Sequence, residues 1–155
     1  MSATIDELLE SIAYDPVTGA FTREDGSDAT CSAGNGYRGV AFNGLYIHAH
    51  RLAWYAVYGK LPERNIDHIN GDPGDNRLAN LRLATQRQNC QNRRVMRTSK
   101  SGIKGVSFDA NRKKWCAYIC VDGRQTFLGR FTSADAAASA YRNAATKHFG
   151  EFARV

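Results

Sequence analysis

The sequence DHINGDPGDNRLANLRLATQRQN, residues 67–89, decides the fold of the N-terminal part of this chain. Residues 65–69 predict a short strand, and the Gly-, Asn- and Asp-rich residues 70–79 predict a loop. Residues 81–84 predict a second strand. Thr85 and Gln88 have the spacing of a capping box, which begins a helix. The stretch therefore predicts the order strand, loop, strand, helix.

Four polar side chains of this unit could act on a phosphate. Asp67 and His68 end the first strand, Asn80 precedes the second, and Asn89 lies on the second turn of the helix. Carboxylate and amide oxygens are hard ligands suited to Mg²⁺, and a histidine can take a proton from water at neutral pH. Phosphodiester hydrolysis needs such a base and such a cation. The alternative is structural, because Asp and Asn commonly stabilise turns.

The sequence before this unit predicts two helices and a hairpin. Residues 5–12 carry apolar side chains at helical spacing. Residues 37–48 predict a hairpin around Asn43-Gly44, because this pair tolerates the positive φ angles of a two-residue turn. Residues 50–58 predict a second helix.

The sequence after this unit predicts a separate domain. Residues 93–102 have no hydrophobic period and carry four bases without an acid, which indicates a basic linker. Residues 105–108, 115–121 and 126–128 predict three strands, and a helix over 133–148 follows. Successive side chains of the second strand point to opposite faces of the sheet. We expect one face to pack against the helix and the other to be free.

The charge of the chain is unevenly distributed. The net charge is +6 over 155 residues, yet residues 1–30 hold seven acids and one base. Residues 77–130 hold thirteen bases and two acids. A block this basic, rich in Arg and interleaved with aromatic residues, favours a nucleic-acid partner over a solvated face or a membrane-surface patch. We expect no small-molecule substrate. No apolar run approaches the roughly 18 residues that span a bilayer.

Residues 37–92 resemble the HNH endonucleases of the His-Me finger superfamily, in the branch found in phage and intron-encoded homing enzymes. The resemblance rests on HRLAW, residues 50–54, and on residues 67–89. It implies that His68 is the general base and that Asn80 fixes the loop and the base. It also implies that Asp67 and Asn89 bind one Mg²⁺ or Mn²⁺ ion per active site. Many relatives have His at the position of Asn89.

Two further histidines lie close in sequence to HRLAW. His48 and His50 flank Ala49, and they could form a second metal pair. The resemblance instead implies that His50 supports the core below the active site.

Residues 102–153 resemble the AP2 DNA-binding domain through GVSFDANRKKWCAYI, FLGRFTSADAAASAYRNAA and FGEFA. This resemblance implies a three-stranded sheet that enters the major groove, with a helix packed behind it. The positions that read bases correspond to Lys104, Ser107, Asp109, Tyr118, Cys120, Gln125 and Phe127. The expected phosphate contacts are Arg82, Arg87, Arg93, Arg94, Arg97 and Lys100.

The sequence therefore predicts an α+β protein with a ββα-metal nuclease domain (1–92), a basic linker (93–102) and an AP2-like DNA-binding domain (103–155). We expect a monomeric, metal-dependent endonuclease of double-stranded DNA, encoded by a phage or mobile element and acting in the cytoplasm of a bacterial host. One alternative is a DNA-binding regulator whose nuclease unit has decayed. An RNA-binding protein is another, because the free sheet face carries aromatic residues.

Overall fold

The computed structural model describes residues 4–93, residue 95 and residues 99–154. The chain divides into two compact units, Met1–Asn89 and Cys90–Val155. Both contain helices and antiparallel sheets, which is consistent with the α+β prediction. The division into 1–92, 93–102 and 103–155 stays a prediction. No helix in the described ranges has the length and apolar character to span a membrane.

The first unit begins with a short helix and a hairpin. Helix α1 covers Ile5–Ser11, and Thr4 and Glu7 form a capping box at its start. Strand β1 (Ile12–Tyr14) pairs with β2 (Phe21–Arg23). Ile12, predicted to be helical, instead has an extended backbone with φ −141° and pairs with Arg23. The turn between the strands ends at Gly19, which has φ +76°.

A three-stranded sheet and a helix follow. The sheet consists of β3 (Cys31–Ser32), β4 (Arg38–Phe42) and β5 (Leu45–His48), with β4 in the centre. Asn43 and Gly44 both have positive φ and form the predicted two-residue turn between β4 and β5. Helix α2 covers Ala49–Tyr58 and ends at Gly59, whose left-handed conformation closes it.

The strand, loop, strand, helix order predicted for residues 65–89 is present. Strand β6 (Asn65–His68) pairs with β7 (Leu81–Ala84), and a 3₁₀ turn at Leu78–Asn80 leads into β7. Helix α3 covers Gln86–Gln91. The predicted capping box forms, because Thr85 Oγ1 accepts from the Gln88 N–H at 3.2 Å and Gln88 Oε1 accepts from the Thr85 N–H at 2.8 Å.

The core of the first unit joins these elements. Leu8, Phe21, Val40 and Leu52 are its largest fully buried side chains and come from α1, β2, β4 and α2. Ile66 and Leu81, from β6 and β7, belong to the same apolar cluster. The β6–β7 pair is therefore fixed to the rest of the unit by buried apolar contacts.

The second unit contains one sheet and one long helix. Strands β8 (Val106–Asp109), β9 (Lys114–Val121) and β10 (Arg124–Phe131) form an antiparallel sheet with β9 in the centre. Helix α4 covers Ala134–Phe149, and the Ser133 side chain accepts from the Ala136 N–H at its start. Strand β10 is longer than predicted, since it pairs with β9 along the whole length of β9.

Small side chains let α4 pack closely on the sheet. Ala137 and Ala145 of α4 are fully buried against Ala117 and Ile119 of β9. The side chains of β9 that alternate with these lie on the opposite face. The predicted alternation between a covered face and an outer face is present, but the outer face is not wholly free, because Cys116 is only 3% exposed.

Candidate active site

Two buried polar side chains end strand β6. Asp67 is 3% exposed and His68 is 5% exposed. Register places Asp67 opposite Arg82 of β7. The Arg82 guanidinium donates through Nε and NH2 to the same carboxylate oxygen, Asp67 Oδ2, at 2.9 and 2.8 Å. Arg82, predicted to contact DNA, thus lies beside the predicted metal ligand, and its DNA contact stays a prediction.

Asn80 fixes the loop between β6 and β7. Its side-chain oxygen accepts from the Asn70 N–H at 3.0 Å, and its side-chain nitrogen donates to the Asp75 carbonyl at 2.8 Å. Its backbone carbonyl accepts from the Ile69 N–H at 2.9 Å. One buried amide therefore satisfies backbone groups near the start and in the middle of the loop that follows His68.

The surroundings of His68 favour its neutral form. Burial lowers the pKa of the imidazole, because a charged ring would lose its hydration. A hydrogen bond with the Asn76 side chain opposes this shift, as do nearby carboxylates, of which Asp67 has the largest effect. A neutral imidazole at neutral pH has a lone pair that can accept a proton, as a general base requires.

A cluster of rings surrounds His68. His50 lies edge-on to His68 with ring centroids 5.3 Å apart, and His48 stacks on His50 at 5.4 Å. The Tyr37 ring lies between 5.6 and 6.0 Å from all three imidazoles. Burial lowers the pKa of His50 to about 3, with smaller effects from His68, His48 and Arg51, so His50 is uncharged. The resemblance placed His50 below the site, whereas no sequence signal indicated Tyr37.

Asn89 of α3 lies in the wall of a cavity next to this cluster. The cavity has a volume of about 230 Å³ and is also lined by Tyr37, His48, His50 and Arg51. His50 contacts both the cavity and His68. Asn89 and His68 thus share His50 as a neighbour, but neither Asp67 nor His68 lines this cavity.

The chemistry of the donors fits a magnesium-type ion. Asp67 offers a carboxylate and Asn89 an amide oxygen, and Mg²⁺ commonly takes one or two protein oxygens and fills its other positions with water and phosphate. Within residues 4–93, 95 and 99–154, no three His, Cys, Asp or Glu side chains form a group that could hold a metal ion. A site built on Asp67 and Asn89 would accordingly depend on ligands from water and substrate.

The outer face of the second unit brings several predicted base-reading residues together. Register pairs Tyr118 with Phe127, Cys120 with Gln125, and Ser107 with Cys116. All of these alternate with the side chains that contact α4, so they share the outer face. The Tyr118 and Phe127 rings lie 5.2 Å apart, and the Arg130 guanidinium lies 5.1 Å from the Phe127 centroid.

The other predicted DNA contacts have different surroundings. Arg87, Arg93 and Lys100 are exposed, and Arg94 and Arg97 lie outside the described residues. Lys104 is half-buried and donates to the Gln91 carbonyl. Burial lowers the pKa of Lys104 to about 8, and the positive charge of Arg154 adds to this effect. Lys104 thus has a structural contact within its own unit.

Comparison with known proteins identifies similarity to a nuclease family and to a phage protein. The family model described as HNH endonuclease matches residues 48–91. Protein 3.8 of Escherichia phage T7 is 34% identical over 106 residues, which cover 68% of this chain and 87% of the phage protein. No solved structure matches the chain. The matched stretch of the family model includes β6, β7 and all of α3.

Proposed function

This chain belongs to the HNH endonuclease family, and from that premise we propose that it is a metal-dependent endonuclease of double-stranded DNA. One observation carries the proposal: the consecutive residues Asp67 and His68 are both buried at the end of β6, and Asn89 lines a cavity with His50, whose ring contacts His68. A carboxylate, a neutral imidazole and an amide oxygen are the groups that hydrolysis of a phosphodiester needs.

His68 acts as the general base. Its buried, neutral imidazole accepts a proton from the attacking water, and Asn76 and Asn80 keep the ring and its loop in place. Asp67 and Asn89 would hold one Mg²⁺ or Mn²⁺ ion. This ion would neutralise charge on the phosphate and on the leaving oxygen.

The second unit and the basic residues select and hold the DNA. The outer face of the β8–β10 sheet, of AP2 type, contacts bases through Ser107, Tyr118, Cys120, Gln125 and Phe127. The exposed cations bind phosphates. A cleaving unit and a DNA-binding unit in one chain suit a monomeric homing-type enzyme, encoded by a phage or mobile element and acting in the host cytoplasm.

Cleavage of supercoiled plasmid tests the proposal. The purified chain should nick or linearise the plasmid with Mg²⁺ or Mn²⁺ and lose this activity in EDTA. His68→Ala should reduce the rate by at least about a hundredfold, the usual contribution of a general base. His148→Ala, which changes an exposed histidine of the second unit, serves as the matched control and should cleave normally.

The same assay distinguishes the alternatives. No cleavage with either cation, or equal cleavage by His68→Ala, would contradict the endonuclease proposal. Retained binding to duplex DNA would then favour a regulatory protein with a decayed nuclease unit. Tighter binding to single-stranded RNA than to duplex DNA would favour an RNA-binding protein.

A further inference from the structure

The N-terminal hairpin touches the loop that follows His68. The Tyr14 hydroxyl at the end of β1 donates to the Asn76 carbonyl at 2.8 Å. The Leu78 N–H donates to the Pro16 carbonyl at 3.0 Å. Two hydrogen bonds thus join the β1–β2 hairpin to the loop of residues 69–80. The hairpin precedes the stretch that the family model matches.

Tyr14 is itself firmly placed. Its ring stacks on Phe21 with centroids 4.6 Å apart, and Phe21 is 1% exposed in the core. Burial, with smaller effects from Asp15 and Asp75, raises the pKa of Tyr14 to about 12, so the hydroxyl keeps its proton and remains a donor. A rigid donor of this kind limits the movement of the carbonyl that it binds.

The turn of the hairpin meets the loop backbone directly. Gly19 has φ +76°, and a Cβ built on it would lie 2.7 Å from the Asn76 carbonyl carbon and in contact with the Arg77 nitrogen. Asp15 shapes this turn by accepting from the Val17 N–H and the Thr18 hydroxyl. Only glycine therefore allows the hairpin to approach the loop this closely.

The loop that the hairpin contacts also binds the base. Asn76 is 3% exposed, and its carbonyl accepts from the Tyr14 hydroxyl. In the same loop, the Gly71 N–H donates to the His68 carbonyl at 2.8 Å. The hairpin thus acts on His68 through this loop.

We infer that the β1–β2 hairpin holds the loop of residues 69–80, the catalytic loop, in place, and that Tyr14 is a positioning residue that acts on His68 through this loop. The inference rests on the proposed endonuclease function. It gives the acidic N-terminal segment a role in the reaction that needs no contact with DNA.

The test compares two tyrosine variants of the full chain. Tyr14→Phe removes only the hydroxyl that binds the loop. Tyr55→Phe is the matched control, because the Tyr55 hydroxyl donates to Asp6 at the same distance, 2.8 Å, but does not touch the loop. Three quantities are measured for each: the single-turnover plasmid cleavage rate with Mg²⁺, the DNA dissociation constant without divalent cation, and amide hydrogen exchange over residues 69–80.

We expect Tyr14→Phe to slow cleavage about tenfold, the effect of one lost hydrogen bond on a transition state. Its DNA dissociation constant should stay within about twofold of the original chain, since the binding surface is unchanged. Exchange over residues 69–80 should accelerate. Tyr55→Phe should change neither the cleavage rate nor the hydrogen exchange over residues 69–80. This should hold even if its melting temperature falls as much as that of Tyr14→Phe.

Equal cleavage rates for Tyr14→Phe and Tyr55→Phe would overturn the inference, as would unchanged exchange over residues 69–80 in Tyr14→Phe. Gly19→Ala is a second variant, which pushes the hairpin against Asn76 and should show the same loss of rate without loss of DNA binding. If the original chain does not cleave at all, the proposed function fails. Hydrogen exchange then still tests whether the hairpin holds the catalytic loop in place, because it needs no activity.

Discussion

Arg82 and Asp67 form a buried ion pair across the β6–β7 hairpin. Their side chains are 13% and 4% exposed, and the guanidinium lies 2.8 Å from Asp67 Oδ2. The guanidinium binds Oδ2 of the carboxylate that we propose as a metal ligand. Arg82 therefore both orients Asp67 and places a positive charge beside the proposed cation site.

The Arg82–Asp67 pair predicts that metal affects the stability of an Arg82→Met variant more than that of the original chain. Arg82→Met leaves a buried carboxylate without its cation and should lower the free energy of unfolding by roughly 3 kcal/mol without metal. Added Mg²⁺ should recover part of this loss, because the ion replaces the missing positive charge. Thermal unfolding with and without Mg²⁺ should show a larger metal-induced rise in melting temperature for Arg82→Met than for the original chain.

Arg112→Met provides the control for this prediction. Arg112 pairs with Asp109 at 3.2 Å, but its side chain is 61% exposed. An exposed ion pair contributes about 0–1 kcal/mol to stability. The Arg112–Asp109 pair also belongs to the second unit. An equal or smaller metal-induced rise in Arg82→Met than in the original chain would contradict a cation site at Asp67.

His50 predicts a loss of stability under mildly acidic conditions. Its pKa is lowered to about 3 in the folded chain from an ordinary value of 6.5. The unfolded chain therefore binds a proton at His50 as the pH falls below 6.5, whereas the folded chain does not. The contribution of His50 to the free energy of unfolding is therefore fully present above pH 6.5 and declines toward pH 3. Between pH 7 and pH 5 this decline is about 2 kcal/mol.

Urea unfolding at several pH values checks this prediction. The slope of stability against pH between 5 and 7 should be smaller in His50→Gln, because glutamine does not titrate. His148→Gln, at an exposed position, should keep the original slope. A slope unaffected by His50→Gln would mean that another group carries the acid sensitivity.

Local sequence signals predicted most of the fold. The Asn43-Gly44 turn, the capping box at Thr85 and the alternation in β9 all depend on neighbouring residues, and all three appear in the structure. The β1–β2 hairpin was not predicted, and its first residue, Ile12, was assigned to the preceding helix. Its strands have three residues each and gain stability from the burial of Phe21 in a distant core.

The contacts that support the candidate site were harder to predict than the site residues themselves. Asp67, His68, Asn80 and Asn89 could be selected from their spacing. The pairing of Arg82 with Asp67 depends on strand register, which sequence composition does not specify. The contact between Tyr14 and Asn76 spans 62 positions of the chain, and such contacts arise from tertiary packing alone.

In the second unit, substitution of Gly105 should destabilise the chain much more than substitution of Gly123. Gly105 has φ +70°, and a Cβ added there would contact the Tyr141 ring and lie 2.5 Å from the Tyr118 carbonyl oxygen. Gly105→Ala should therefore destabilise the chain by more than about 3 kcal/mol, through backbone strain and steric conflict. Gly123 has φ +75° with open space around it, so Gly123→Ala should cost only about 1 kcal/mol.

Chemical denaturation monitored by Trp115 fluorescence measures both glycine variants. The comparison separates backbone strain, which the two positions share, from the steric conflict that only Gly105 has. Equal destabilisation by the two substitutions would contradict the close packing of Tyr141 on Gly105.

The outer face of the β8–β10 sheet predicts which aromatic residues contact DNA. Phe127 is 46% exposed on this face, next to Tyr118 and Arg130. Phe108 is 52% exposed but pairs in register with Trp115, which packs on the side of α4. Phe127→Ala should weaken duplex DNA binding about tenfold, the effect of one lost apolar or stacking contact with bases, and Phe108→Ala should not.

Fluorescence anisotropy with labelled duplex DNA, measured at two salt concentrations, checks this expectation. Phe127→Ala should lower affinity without changing the salt dependence, because it removes no phosphate contact. Arg87→Ala should instead reduce the salt dependence, as the loss of one phosphate contact requires. Equal losses of affinity in Phe108→Ala and Phe127→Ala would show that DNA does not distinguish the two faces, and the outer face would then have no special part in recognition.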